Sequence, residues 1–357
     1  MDFLQAEGEE FSSLDEVTEH IQSTASLSKI DGDLSVIGSI SDFDSTDNLV
    51  ESTESHFSIE QRMGNLLLLN SLHLDVPYYV YLSDEFPIWF TTGRKTEDMP
   101  ETIDEYLKSD RDIGRMWISK TEMENLRQRV VQNYPDVLMP YFTASRSKHS
   151  EIPANRRPKY ERTFQYYGKD GLETFNELKY EYGVLPTNLK FQKANNFKFR
   201  VTTRGVFTIK NGGLGEVLTV IEDSIDRLQE VKEAIDASGF KRMQNQFASG
   251  QTIPESRPWA VQLDSEITQE DVERFEGEEL EDWEFTLGKL DASFEGDTAQ
   301  LKAELIDERT FGKTILRSHE DSIRIYPREH TGIDQSVRVF EFINDQLDPN
   351  SYATRVA

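Results

Sequence analysis

A chain of 357 residues carrying 66 acidic against 39 basic side chains has a net charge of −27, yet 36% of it is hydrophobic and 11% aromatic. That is too apolar for a wholly disordered acidic polymer, and the absence of cysteine excludes disulfides, thiol nucleophiles and cysteine-held zinc or iron–sulfur centres. So large an acidic excess is tolerated where concentrated salt cuts the Debye length to roughly 3 Å near 1 M, which predicts a halophilic archaeal protein of the high-salt cytoplasm, or one from a resident virus or plasmid, with the virion as its place if viral.

Residues 1–57 are rich in Asp and Glu, with Lys29 their sole lysine or arginine, and are expected to form a mostly disordered acidic tail with a short ordered piece around Leu34 to Phe43. The opening "MDFLQAEGEEF" has no basic-plus-apolar signal. The longest apolar run, Leu66 to Leu69, is too short to cross a bilayer, so no membrane partner is expected.

A first α+β part is expected over 58–140. Ser58 and Gln61 stand at capping-box spacing ahead of an apolar run, which predicts a helix start. "PYYVYL" and "FPIWFTT", aromatic, β-branched and bounded by Pro77, Pro87 and Gly93, predict strands. "PETIDEYLKS" and "KTEMENLRQRVVQNY" predict helices, the second stopped by Pro135.

A basic, aromatic-rich part is expected over 141–240. Between Tyr141 and Lys210 there are 14 basic and 6 acidic residues, in a chain that elsewhere avoids positive charge. Its first stretch, "TASRSKHSEIPANRRPKYERTFQYYGKDG", is loop-like, and "LKFQKANNFKFRVTTRGVFTIK" alternates like strands. Val217, Leu218, Ile221, Ile225, Leu228, Val231 and Ile235 then recur at helical spacing, with Gly239 in the place of a C-terminal cap. "KRMQNQFASGQTIPESRP" is expected as a linker to an acidic α+β domain over 257–357 with a short helix, several strands and a closing helix. The fold class expected is therefore α+β, with mostly antiparallel sheets and helices packed on one face.

Two stretches, "LKFQKANNFKFRVTTRGVFTIKNGGLGEVLTVIEDSIDRL" and "LKAELIDERTFGKTILRSHEDSIRIYPREHTGIDQSVRVFEFINDQL", share a strand–strand–helix order that predicts an internal repeat. At that level each resembles a half-repeat of the TATA-box-binding protein family, with Arg204-Gly205 as the hairpin turn. The resemblance implies a hairpin feeding a helix laid across a curved sheet. The paired phenylalanines that wedge into a minor groove in such proteins have no convincing counterpart, and no residues are carried over.

The sharpest functional signal is the basic, aromatic window. Lys and Arg neutralise phosphates, and tyrosines stack on exposed bases. Arg146, Lys148, Arg156, Arg157, Lys159, Tyr160, Arg162, Tyr166 and Tyr167 are the candidate nucleic-acid contacts. "TIKNGGLGEV" lacks the Lys-Ser/Thr pair of a phosphate loop and puts Glu216 where an anion would sit, so an architectural turn is expected there. Asp136 followed by Glu177 and Lys179 resembles the Asp…Glu-x-Lys set of restriction-type nucleases, which hold Mg²⁺ on neighbouring strands. His319, Glu320, Asp321, Glu329 and His330 converge only if a hairpin folds them together. No cofactor or metal site is predicted. The leading expectation is a non-enzymatic DNA- or RNA-binding protein with a regulatory or replication role. The alternatives are an assembly protein whose basic strip joins a second copy or an acidic partner, and a Mg²⁺-dependent nuclease.

Overall fold

The computed structural model of the chain describes residues 3–23, 33–146, 152–244 and 252–356. The chain divides into two compact units, Met1–Ile225 and Asp226–Ala357.

In the first unit the elements run α1 (Leu14–Ser23), β1 (Leu34–Ser41), α2 (Thr46–Thr53), β2 (Phe57–Met63), β3 (Leu66–Ser71), β4 (Pro77–Tyr81) and β5 (Ile88–Thr91). Then come α3 (Ile103–Ser109), β6 (Ile113–Arg115), α4 (Lys120–Asn133), β7 (Leu138–Arg146), β8 (Arg162–Tyr167), α5 (Gly171–Tyr182), β9 (Leu185–Lys193), β10 (Phe197–Thr202), β11 (Val206–Asn211) and the start of α6 (Leu214–Asp236), the helix in which the first unit ends. One antiparallel sheet joins the strands in the order β2-β3-β4-β5-β1-β11-β10-β9-β7-β8, with β6 added beside β1.

The acidic segment supplies a central strand of that sheet. All eight residues of β1 are buried, because "LSVIGSIS" is uncharged and pairs with β5 on one side and β11 on the other. The ordered piece expected near Leu34 is thus present and has α1 and α2 for neighbours, so the ordered structure begins well before Ser58. Of the tail expected over 1–57, residues 1, 2 and 24–32 lie outside the described residues, while Leu4, Ala6 and Phe11 ahead of α1 are buried.

The helix expected to start at Ser58 is corrected to the β2–β3 hairpin. Gly64 turns it at φ +64°, and a side chain there would meet the Phe11 carbonyl. Leu66 to Leu69 is buried on both faces, the reading a short apolar run takes when it is a core strand. Trp89, Tyr78, Val80 and Leu67 pack under Tyr106 and Leu107 of α3, and Trp89 donates Nε1–H to Ser39 Oγ at 3.0 Å. Each such buried side chain contributes about 1.5–3 kcal/mol.

The expected boundaries after 57 and after 140 cut through this sheet, since β1, β5 and β11 are hydrogen-bonded neighbours drawn from all three segments. Composition is a local property, whereas strand partners here lie far apart in sequence. That is why the segments looked separate.

In the second unit β12 (Gly239–Gln244) pairs with β13 (Thr252–Arg257), so the expected linker is a hairpin at its described ends, and Gly239 opens a strand rather than capping α6. β14 (Trp259–Gln262), α7 (Gln269–Phe275), β15 (Phe285–Glu295), β16 (Thr298–Asp307), β17 (Lys313–His319), β18 (Ser322–Pro327), α8 (Ile333–Gln346) and β19 (Tyr352–Arg355) follow. Their sheet has the order β15-β16-β17-β18-β14-β19. Helix α8 is buried almost all round, and its fully buried Arg338 is held by Asp307 at 2.9 Å, Asp334 at 2.7 Å and the Trp283 carbonyl at 2.7 Å.

The fold is α+β with mostly antiparallel sheets, and the strand–strand–helix order recurs as β9-β10-β11-α6 and β16-β17-β18-α8. Among the described residues, no helix is long and apolar enough to cross a membrane.

Candidate nucleic-acid interface

Antiparallel register places directly opposed residues on one face of a sheet. Tyr167 of β8 opposes Tyr141 of β7, Tyr141 opposes Lys190 of β9, Lys190 opposes Arg200 of β10, and Arg200 opposes Thr208 of β11. The parallel row two residues along is Gln165, Thr143, Asn188 and Thr202. These two rows make one face of the β7–β10 half-sheet, polar and cationic, on which Tyr167 and Gln165 are exposed and Thr143, Asn188, Lys190, Arg200 and Thr208 half-buried.

The opposite face is the helix side. Phe142 meets the Phe175 ring of α5 edge-on at 5.3 Å, and Tyr134 after α4 meets Phe197 at 4.9 Å. Helix α4 starts where the sequence says it should, on a capping box of Ser119 and Glu122.

Alternation along β8 divides the candidate residues. Tyr167 points to the open face, 72% exposed, its ring 4.6 Å from that of Tyr141. Tyr166 points the other way, stacked on Phe142 with its hydroxyl donating to Asp170 at 2.7 Å. Arg162 lies with it on the helix side, its guanidinium 4.6 Å over the Tyr182 ring. Arg146, 4% exposed, donates to the carbonyls of Pro158, Ile152 and Gly183, so it pins the connecting loop and the end of α5. The loop itself carries exposed Arg157, Lys159 and Tyr160, and Arg156 paired with Glu181 at 2.6 Å. Lys148 lies outside the described residues. The expected cluster is therefore split among interior, loop and two sheet faces, and "TASR" and "RTFQYY" belong to strands rather than to a loop.

The open face gathers cations that the linear window did not single out. Arg200 is held by Asn188, Nε to Oδ1 at 2.8 Å, and lies 4.9 Å over the Tyr141 ring. Lys190 is pushed below the usual lysine range by burial and by Lys198, Lys210 and Arg200 around it, with Asp33 acting the other way. Lys95, after β5, is pushed down to about 8 by burial and by Arg200, Arg115 and Arg204. The ammonium groups of Lys95, Lys190 and Lys198 make no hydrogen bond or ion pair among the described residues. Lys210 is the exception in this group, paired with Asp33 at 2.8 Å. A usable signal was present: residues 185–211 contain Lys190, Lys193, Lys198, Arg200, Arg204 and Lys210 and no Asp or Glu. Period-2 alternation puts Lys190, Lys198 and Arg200 on one face and Phe191, Phe197 and Phe199 on the other.

The nuclease set is corrected. Glu177 and Lys179 lie on helix α5, not on a strand, and two residues apart on a helix they point to different sides. Lys179 is paired with Glu124 at 2.7 Å, while Asp136 is paired with Lys193 at 3.0 Å. Helix α5 is held to the sheet by Phe175, whose ring meets Phe142, and it ends at Gly183 in the left-handed region.

His319, Glu320 and Asp321 sit at one end of β18 and Glu329 and His330 beyond the other, so they do not converge, and no group of metal-ligating side chains occurs among the described residues. The glycine turn is architectural, as expected. Gly212 and Gly213 take φ +50° and +76°, a side chain at Gly212 would collide with the Asn196 carbonyl, and Glu216 accepts a hydrogen bond from Tyr134 at 2.7 Å.

Residues 121–204 match the AF_0896_M family middle domain, a stretch that runs from α4 to the β10–β11 turn and so contains the open face. An uncharacterized protein of Archaeoglobus fulgidus is 27% identical over 334 residues, covering 90% of each chain. No solved structure matches the chain.

Proposed function

We propose that the protein binds nucleic acid on the open face of β7–β10, in a regulatory or replication role. What carries this reading is a group of cations that make no ion pair with a carboxylate among the described residues. In a chain of −27, grouping Lys95, Lys190, Lys198 and Arg200, with only Asp33 among the described carboxylates acting on Lys190, is unfavourable by mutual repulsion unless a polyanion meets them. Tyr167 and Tyr141 at the end of the row add π-surface. The acidic remainder suits a concentrated-salt setting, which belongs to the same proposal.

Binding to mixed-sequence DNA at several KCl concentrations tests it. The double variant Lys190→Glu plus Arg200→Glu is expected to lose binding, whereas Arg156→Glu plus Arg157→Glu on the loop loses much less. Contacts from four cations predict a slope of log K against log salt of about −3 to −4. No binding by the unaltered chain at low salt, or an unaffected sheet-face variant, refutes the proposal.

A further inference from the structure

The open face also has a shape that discriminates between forms of nucleic acid. Five adjacent strands, β8-β7-β9-β10-β11, span about 19 Å at strand spacing of about 4.8 Å. That is broader than a duplex major groove of about 12 Å, so the sheet face itself does not enter one. The duplex-binding alternative is a sheet saddled on a minor groove, which works by apolar wedges that unstack base steps. The two central rows of the open face present Tyr167, Gln165, Thr143, Asn188, Lys190 and Arg200, and the row beyond them, Lys198 and Gln192, ends in a single exposed aliphatic, Leu138, rather than in a pair of wedges.

A single strand needs something different: a cationic track for its backbone and an aromatic surface for an unstacked base. Both are present in one row. Tyr167 is 72% exposed and makes one side-chain hydrogen bond, accepting from Gln165 at 2.9 Å, so a base can approach its free ring face. Arg200 is already oriented by Asn188 and Tyr141, so little rotamer freedom is lost when it meets a phosphate. From Tyr167 to Arg200 is three strand spacings, about 14 Å, enough for a few nucleotides to lie across the strands.

We infer that the open face selects single-stranded nucleic acid, a base stacking on Tyr167 while the backbone crosses Lys190 and Arg200. This rests on the nucleic-acid reading above. The test is fluorescence anisotropy with a labelled mixed-sequence DNA strand of about 12 nucleotides and with the duplex of the same sequence. The single strand is expected to bind at least tenfold more tightly. Tyr167→Ala should weaken the single strand roughly 5- to 100-fold and leave the duplex unchanged, while Tyr167→Phe retains the unaltered affinity. Because Tyr167 is exposed, these variants are expected to fold. Equal or tighter duplex binding, or single-strand affinity indifferent to Tyr167→Ala, overturns the selectivity while leaving nucleic-acid binding standing. Failure of both probes to bind overturns both.

Discussion

The two faces of the β7–β10 half-sheet treat positive charge in opposite ways. On the helix side the cations packed between helices and sheet are partnered: Glu124 accepts from Arg127 at 2.7 and 2.8 Å and from Lys179 at 2.7 Å, Asp136 meets Lys193, and Arg146 donates to three carbonyls. On the open side Lys95, Lys190 and Lys198 have no such partners. With 66 carboxylates in the chain, partners are not scarce. The difference is one of placement, and placement on a face is what a binding surface requires.

The comparison breaks first at Glu124. Burial works against its charge, but hydrogen bonds from Arg127, Lys179 and Gln128 prevail and hold its pKa below the usual range. Glu124→Ala leaves Arg127 buried and unpaired, so a loss of about 3–5 kcal/mol is expected, read as a lower urea midpoint. With a depressed folded-state pKa, this stabilisation is present above the ordinary value of 4.5 and is lost as pH falls through the folded value. An acid-unfolding curve checks that.

The open face should answer in the reverse sense. Arg200→Ala is expected to weaken DNA binding about tenfold, roughly 1.4 kcal/mol, while changing the unfolding free energy from a urea titration by under about 0.5 kcal/mol. Relief of repulsion with Lys95 and Lys190 offsets its lost contacts. A large destabilisation with unchanged binding would erase the distinction between the faces.

Lys95 sharpens it through pH. Its folded-state value of about 8 lies below the ordinary 10.5, so between these the unfolded chain holds a proton that the folded chain has released. Stability therefore rises with pH across that window, by about 1–2 kcal/mol after allowing for solvent screening of a partly exposed group. Lys95→Met should flatten that part of the stability–pH curve. DNA affinity should fall as pH rises through 8 in the unaltered chain and fall less in the variant.

The smallest effect is expected on the loop. Arg156–Glu181 is an exposed pair, with Arg156 66% and Glu181 32% accessible, and Arg156→Ala should cost under about 1 kcal/mol. A larger loss in a denaturant titration would make the loop a structural element in its own right.

Much of the fold was legible because it is written locally. The helix in "KTEMENLRQRVVQNY", the alternation of β9 to β11 and the glycines before α6 each state their own conformation in a few residues. The Ser58–Gln61 spacing misled because a capping box and a strand-to-turn segment share residue types, and only Gly64 beside Phe11 separates them. The site was half legible. The enrichment of 141–210 in basic and aromatic residues is plain in the sequence, but Arg146 and Arg162 were counted with it although packing turns both toward α5.

By itself the sequence determined the charge balance, the lack of thiol chemistry, the α+β character and the stretch in which positive charge concentrates, all of which are sums or short-range patterns. Tertiary structure alone decided that the acidic N-terminal segment provides a central strand, that Glu177 and Lys179 are helical and apart, and that Tyr167, Tyr141, Lys190 and Arg200 stand in one line. Strand register is chosen by burying apolar rows such as Phe142, Leu189 and Val201 against helices. Once that choice is made, alternation leaves the intervening polar and cationic residues no place but the open face.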